Sequence, residues 1–139
     1  MKDRFYLDTC IWIDLFENRI DKYRPLGEFA KRLVKKIFDN NGLILYSDTI
    51  LQEIMSRVDS NILITLFRPL QQEGLIRRVM ASDQQIAMAI SLSKFRNIPC
   101  GDALHAILAR DNDAFLVTRD KHFRRLKDIV KILKPEDLL

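Results

Sequence analysis

Apolar residues recur along this chain in two patterns. Short apolar runs of strand length are RFYLD (Arg4 to Asp8), LILY (Leu43 to Tyr46), a segment near LIRRV (Leu75 to Val79), FLV (Phe115 to Val117) and DIVKIL (Asp128 to Leu133). Helical spacing fills the intervals. A first helix runs through IWIDLFEN, and a longer one covers about Leu26 to Asp39. In the longer helix Leu26, Phe29, Ala30, Leu33, Val34, Ile37 and Phe38 share a face, Lys31, Arg32, Lys35 and Lys36 lie elsewhere, and Asn40, Asn41 and Gly42 stop it. Ser47 or Asp48 caps TILQEIMSRV; a further helix spans about Ile62 to Gln72; Ser82 or Asp83 opens one that reaches Phe95. After the break Ile98-Pro99-Cys100-Gly101, the helix DALHAILAR begins at Asp102, and KHFRRL makes a short helix before the last strand.

Strands alternating with helices imply right-handed crossovers and a mostly parallel central sheet covered on both faces. The expected fold class is α/β, a three-layer α/β/α sandwich, with residues 1–139 forming one domain. Composition agrees with a globular chain: 47% apolar, 30% charged, and only 4 Gly and 4 Pro to build linkers. No repeat or low-complexity segment is present. No run approaches the roughly 18–20 apolar residues of a membrane span, and MKDRFYLD carries acids where a signal peptide would be apolar, so the expected location is the cytoplasm.

In open parallel sheets, ligands gather beyond the carboxyl ends of the strands. Asp8 ends the first strand, Asp120 lies just past the fourth, Asp102 opens a helix, and Glu53 sits about one turn into the helix after the second strand. Taken singly, each has an ordinary reading: Asp8, Asp102 and Asp120 as helix N-caps, Glu53 as a solvated helix-face carboxylate. Their joint placement at one edge is harder to explain that way. Two unit charges about 4 Å apart repel by about 4 kcal/mol at an effective dielectric of 20, so a cluster needs retained protons or a divalent cation. Carboxylate oxygens select Mg²⁺ or Mn²⁺, which can activate water towards a phosphodiester. The net charge of +4 and pI near 9.2 favour a polyanionic partner; setting these four acids aside leaves 15 acidic groups against 23 basic ones.

Other residues carry paired readings. His105, three residues after Asp102, is either a ligand or base, or a packed ring making an orienting hydrogen bond; hard-metal sites rarely need imidazole, which favours the second. His122 is read as a surface residue. Arg119 and Lys121, with Arg124, Arg125 and Lys127 nearby, are candidates to hold substrate phosphates, against a solvated-face reading for each. The Lys31–Lys36 stripe reads as a solvated face, Trp12 as a core or interface anchor, and Asp14 and Glu17 as exposed acids, with Asp14 within reach of the pocket rim. Cys10 and Cys100 form no CxxC pair and read as buried reduced thiols. Helices 26–38 and 62–70 hold more large apolar side chains than one sheet face requires, which suggests a dimer surface or a partner groove.

Four segments in order, FYLDTCIWIDLF, SDTILQEIMSR, GDALHAILA and FLVTRDKHFRRL, resemble the PIN-domain family along nearly the whole chain. The resemblance implies an α/β/α fold and an Mg²⁺- or Mn²⁺-dependent ribonuclease, often the toxin of a VapBC-type toxin–antitoxin pair that also pairs with itself. It places Asp8, Glu53 and Asp102 as metal-binding acids, Asp120 completing the quartet, and Thr118 as the hydroxyl that helps orient them. Cys10 departs from the polar residue many members carry there, which leaves one supporting hydrogen bond open. The expected activity is hydrolysis of RNA; the alternative is a catalytically lapsed module acting through protein or RNA binding. A phosphotransfer receiver shares the topology but needs an acidic pair at the first strand, and Asp8 has no acidic neighbour.

Overall fold

Short strands pair side by side because each can satisfy its backbone only through a neighbouring strand. In the computed structural model, which describes residues 2–18, 20 and 22–139, the strands are β1 (Arg4–Leu7), β2 (Leu43–Tyr46), β3 (Ile76–Arg78), β4 (Ala114–Val117) and β5 (Ile132–Leu133). They form one sheet in the order β3-β2-β1-β4-β5, with every pair parallel. The helices are α1 (Thr9–Glu17), α2 (Leu26–Asp39), α3 (Asp48–Met55), α4 (Ser60–Gln72), α5 (Asp83–Arg96) and α6 (Cys100–Asp111).

Alternation along β1 sorts the layers. Phe5 lines a cavity with Leu33 and Ile37 of α2, while Tyr6 faces His105 of α6, so α2 and α6 cover opposite faces. On the α2 side, Trp12 is fully buried with its ring 4.8 Å from that of Phe67, and Phe67 also meets Tyr46 at 5.2 Å. Trp12 is therefore a core anchor. α6, whose face is Ala103, Ala106, Ile107 and Leu108, packs on the sheet and against α5. Among the described residues no helix is long and apolar enough to cross a membrane.

Local chemistry sets the helix ends. Ser47 caps α3, accepting from Ile50 N at 3.3 Å, and Ser82 caps α5 in a reciprocal box with Gln85. α1 ends in Asn18 with φ 48°, and the first turn of α2 approaches it at Gly27. A Cβ at Gly27 would lie 2.7 Å from the Asn18 carbonyl carbon and closer still to its Cα. Gly27→Ala is therefore expected to destabilise the protein by about 1–3 kcal/mol, read as a lower urea midpoint with unchanged slope.

Two sequence expectations change. The helix expected to begin at Asp102 begins at Cys100, because Pro99 is pre-set for the cap position and its carbonyl accepts from Ala103 N at 3.1 Å. The strand expected over DIVKIL shrinks to Ile132–Leu133. After the 3-10 turn Lys121–Leu126, the N–H groups of Ile129 and Val130 donate back to the Leu126 carbonyl, so the chain is still turning there.

Candidate functional site

The chain runs outwards from β1 through β2 to β3, then returns to the other side of β1 as β4. The carboxyl ends of β1 and β4 are thus neighbours whose connections leave in opposite directions, the switch point at which such sheets bind ligands. Asp8 follows Leu7 there, and its N–H still donates to the Val117 carbonyl at 2.9 Å, so sheet pairing fixes where it leaves the edge. Its Oδ1 caps α1 by accepting from Thr9 N at 2.8 Å. Its Oδ2 accepts from the Thr118 hydroxyl at 2.8 Å and from the Cys10 thiol at 3.3 Å. The supporting bond left open by a cysteine at position 10 is made by sulfur. Capping and cluster membership are compatible for Asp8. Burial pushes its carboxyl above the usual range, against the opposing effects of the His105 ring and of these three donors.

Thr118 joins two acids: its hydroxyl donates to Asp8 and accepts from Asp120 N at 3.0 Å. Asp120 caps the following 3-10 turn, Oδ1 accepting from His122 N at 2.9 Å. Asp102 lies inside the first turn of α6 and is not its cap, which corrects the N-cap reading. Its half-buried carboxyl is pushed up to about 6, by burial first and then by the charges of Asp8 and Asp120. Ligand oxygens of Asp102 and Asp120 lie within 4.8 Å of each other.

Glu53, on α3, is clamped rather than solvated: Oε2 accepts from the Thr9 hydroxyl and Oε1 from His105 Nε2, both at 2.8 Å. Burial alone would raise its pKa, but the His105 bond and charge, together with Thr9, hold it below the usual range. A Cβ at Gly101 would sit 3.5 Å from Glu53 Oε1, so the first turn of α6 rests beside this carboxylate. Thr9 was not singled out from sequence; its place after Asp8, at the start of a helix, was the available signal.

His105 is fully buried, with Nδ1 2.7 Å from the Tyr6 hydroxyl, which in turn is 2.7 Å from Ser47 Oγ. An ionised Glu53 can only accept, so His105 Nε2 donates to it, while Nδ1 and the Tyr6 hydroxyl share the second hydrogen bond. Both nitrogens are engaged in hydrogen bonds, and through Nε2 His105 orients Glu53. No pattern in the sequence marked the Ser47–Tyr6–His105 chain, because its members come from three separate elements. His122 is exposed as expected, yet its Nδ1 lies 3.4 Å from Asp120 and 3.7 Å from Asp102.

Ligand atoms of Asp8, Glu53 and His105 lie within 4.8 Å of one another, and those of Asp102, Asp120 and His122 do likewise. The four predicted acids thus reach one edge as two adjoining groups, linked through the charge coupling between Asp8 and Asp102. An ionised carboxylate has about four lone-pair sites, more than any of these acids spends on protein hydrogen bonds, so all four keep oxygen donors held near one another against repulsion, a set suited to a hard divalent cation.

The structure changes some of the remaining expectations and agrees with others. Arg119 is mostly buried, donating to Glu136 at 2.8 Å and lying 3.5 Å from Asp14, so its guanidinium is held by protein carboxylates. Asp14, read as an exposed acid, is 2% exposed: its side of the second turn of α1 faces inwards, where Arg119 meets it. Glu17 is exposed and pairs with Arg57. Cys100 is exposed rather than buried, since α6 starts there at the surface, while Cys10 is half-buried; both are free thiols. Lys31 and Lys35 pair with Glu28 and Asp39 on a solvated face.

A three-layer sandwich that gathers four carboxylates at the switch point of a parallel sheet defines a class of protein built to present oxygen ligands at its sheet edge. The chain belongs to the PIN domain family, whose sequence profile matches residues 5–129. Solved structures with the same fold include a toxin–antitoxin complex from Klebsiella pneumoniae (22% identity, 94% of this chain and 97% of that one, TM-score 0.66). VapBC2 from Rickettsia felis bound to a DNA fragment from its promoter is similar at 20% identity (94% and 98%, TM-score 0.63). VapBC-1 from nontypeable Haemophilus influenzae is similar at 16% (96% and 98%, TM-score 0.66). No match was found among curated protein sequences.

Proposed function

We propose that this chain is a metal-dependent endoribonuclease, the toxin of a toxin–antitoxin pair. The observation that carries the reading is the gathering of four carboxylates at one sheet edge in two adjoining groups, Asp8 with the clamped Glu53 and Asp102 with Asp120; burial, and then the charges of Asp8 and Asp120, raise the Asp102 pKa there. A lapsed site has no physical reason to retain such repulsion. Asp8, Glu53, Asp102 and Asp120 would hold the ion. Mg²⁺ or Mn²⁺ bound there would polarise the phosphoryl oxygens and acidify the attacking water. Thr118 keeps Asp8 and the Asp120 backbone in register, and the chain from Ser47 to His105 keeps Glu53 in place. Lys121, exposed next to Asp120, is the nearest cation to meet a substrate phosphate.

Exposed apolar side chains support protein partners. Ile62 and Leu66 on α4, and Ile86 and Ile90 on α5, offer two faces, for an antitoxin and for a second copy of the chain. The related structures named above are toxin–antitoxin complexes, which fits that assignment.

The test is cleavage of labelled single-stranded RNA in EDTA, Mg²⁺ or Mn²⁺, beside Asp8→Asn. Cutting that needs metal and is lost in the variant is the expected result; cutting in EDTA would sink the reading. Metal binding is expected to register in stability as well. Mn²⁺ at about one hundred times its Kd should stabilise the fold by about 2.7 kcal/mol, seen as a rise in Tm absent from Asp8→Asn.

A further inference from the structure

Beyond Asp120 the sheet edge opens into a cleft of about 490 Å³, with Thr118 and Asp120 at one end and Ile132 and Leu133 of β5 along it. Lys121 and Arg124 enter it from the 3-10 turn, Lys127 from the exit of that turn, and Lys134 from the residue after β5. Among the described residues, none of these four has a carboxylate within ion-pair distance. Arg57, Arg78, Arg96, Arg110 and Arg119, by contrast, each have one. Two acids share the lining, Asp120 at the carboxylate end and Asp137, whose Oδ2 accepts from Lys134 N at 2.9 Å, while Glu136 is engaged with Arg119. Lys121, Arg124, Lys127 and Lys134 outnumber those two carboxylates, so the groove is net positive, and cations strung along a groove suit several linked anionic charges better than one.

We propose that this cleft binds the backbone phosphates of a single-stranded nucleic acid on one side of the bond to be cut, with Lys127 and Lys134 among its contacts. The proposal rests on the nuclease reading, because a strand whose reacting phosphate lies at the carboxylates would continue past Asp120 into the cleft. It replaces Arg119, held by Glu136 and Asp14, with residues from two other parts of the chain. The half-buried Ile132 and Leu133 supply an apolar wall against which a ribose or base can lie.

The experiment is fluorescence anisotropy with a short labelled single-stranded RNA in EDTA, where hydrolysis is stopped, over a series of salt concentrations. Wild type is compared with the double variant Lys127→Gln/Lys134→Gln, its charge-preserving counterpart Lys127→Arg/Lys134→Arg, and Arg32→Gln/Lys36→Gln on α2, with melting curves for all. Each lost phosphate contact on a single strand lowers the slope of log K against log salt by about 0.7, so the Gln pair should lose about 1.4. The Arg pair should keep the slope, and the α2 pair should match wild type. A folded Gln pair with wild-type affinity and slope overturns the proposal, as does wild type that binds no RNA. So does a Gln pair that keeps RNA but loses an acidic peptide such as polyglutamate, which would assign the cleft to a protein. Cleavage separates the two readings: RNA held through the cleft but uncut with Mg²⁺ or Mn²⁺ overturns the nuclease reading alone. RNA cut by wild type, with the Gln pair binding normally, overturns the cleft alone.

Discussion

Asp102→Asn is expected to lower metal-dependent RNA cleavage by about 10³-fold and, at neutral pH without metal, to raise the melting temperature. The two effects have one cause. The Asp102 carboxyl is pushed up to about 6 by burial and by the charges of Asp8 and Asp120. An acid whose pKa is raised on folding binds its proton more tightly in the native state. Stability is therefore unaffected below about pH 4, falls as pH rises between about 4 and 6, and carries the full penalty above that. With a reference value of 3.8 and a folded value of about 6, the penalty is on the order of 2–3 kcal/mol. For a chain of this size, relief of that penalty corresponds to roughly 5–10 °C in Tm. Asparagine keeps the shape and removes the charge, so the gain should appear at pH 7.5 and vanish near pH 4. Mn²⁺ should reverse the order by stabilising wild type alone. An Asn variant that melts below wild type at pH 7.5 in EDTA would show that the carboxylate is satisfied by something other than a cation.

His105→Ala is expected to be the most destabilising single change near the site, by about 3–5 kcal/mol. It empties a fully buried position and removes one hydrogen-bond partner each from the Tyr6 hydroxyl, which keeps Ser47, and from Glu53, which keeps Thr9. Loss of stability alone would not separate packing from positioning. Tyr6→Phe does, since it keeps the volume and removes only the hydroxyl between Ser47 and His105. That variant should fold with a penalty of about 1–3 kcal/mol, and by loosening the ring that holds Glu53 should weaken Mn²⁺ binding by about tenfold or more in calorimetric titration. Unchanged Mn²⁺ affinity in a folded Tyr6→Phe would leave the chain from Ser47 to His105 a purely structural feature.

Much of this architecture was legible along the chain because periodicity reports burial directly. LILY, a short apolar run followed by a serine cap, reads as a strand buried on both faces, and the spacing from Leu26 to Phe38 as an amphipathic helix. Parallel topology follows from strands separated by helices, and it brings Asp8 and the residues after β4 to one edge without any knowledge of side-chain contacts. The short last strand was less legible. Its apolar residues Ile129 and Val130 are packed from a turn, and burial without period cannot tell a turn from a strand.

What the residues by themselves determined was which acids sit at the carboxyl ends of strands, since that depends only on element order. Only the tertiary structure decided what each side chain does there. The same carboxylate is a cap, a clamped group or a repelled one according to donors that lie far off in sequence: Thr118 for Asp8, 110 residues away, and His105 for Glu53, 52 residues away. Likewise Arg119 and Lys121 are close in sequence yet differ in availability, because Glu136 and Asp14 fold back onto one and not the other. Hydrogen bonds and ion pairs act over a few ångströms, and distance along the chain does not measure distance in space.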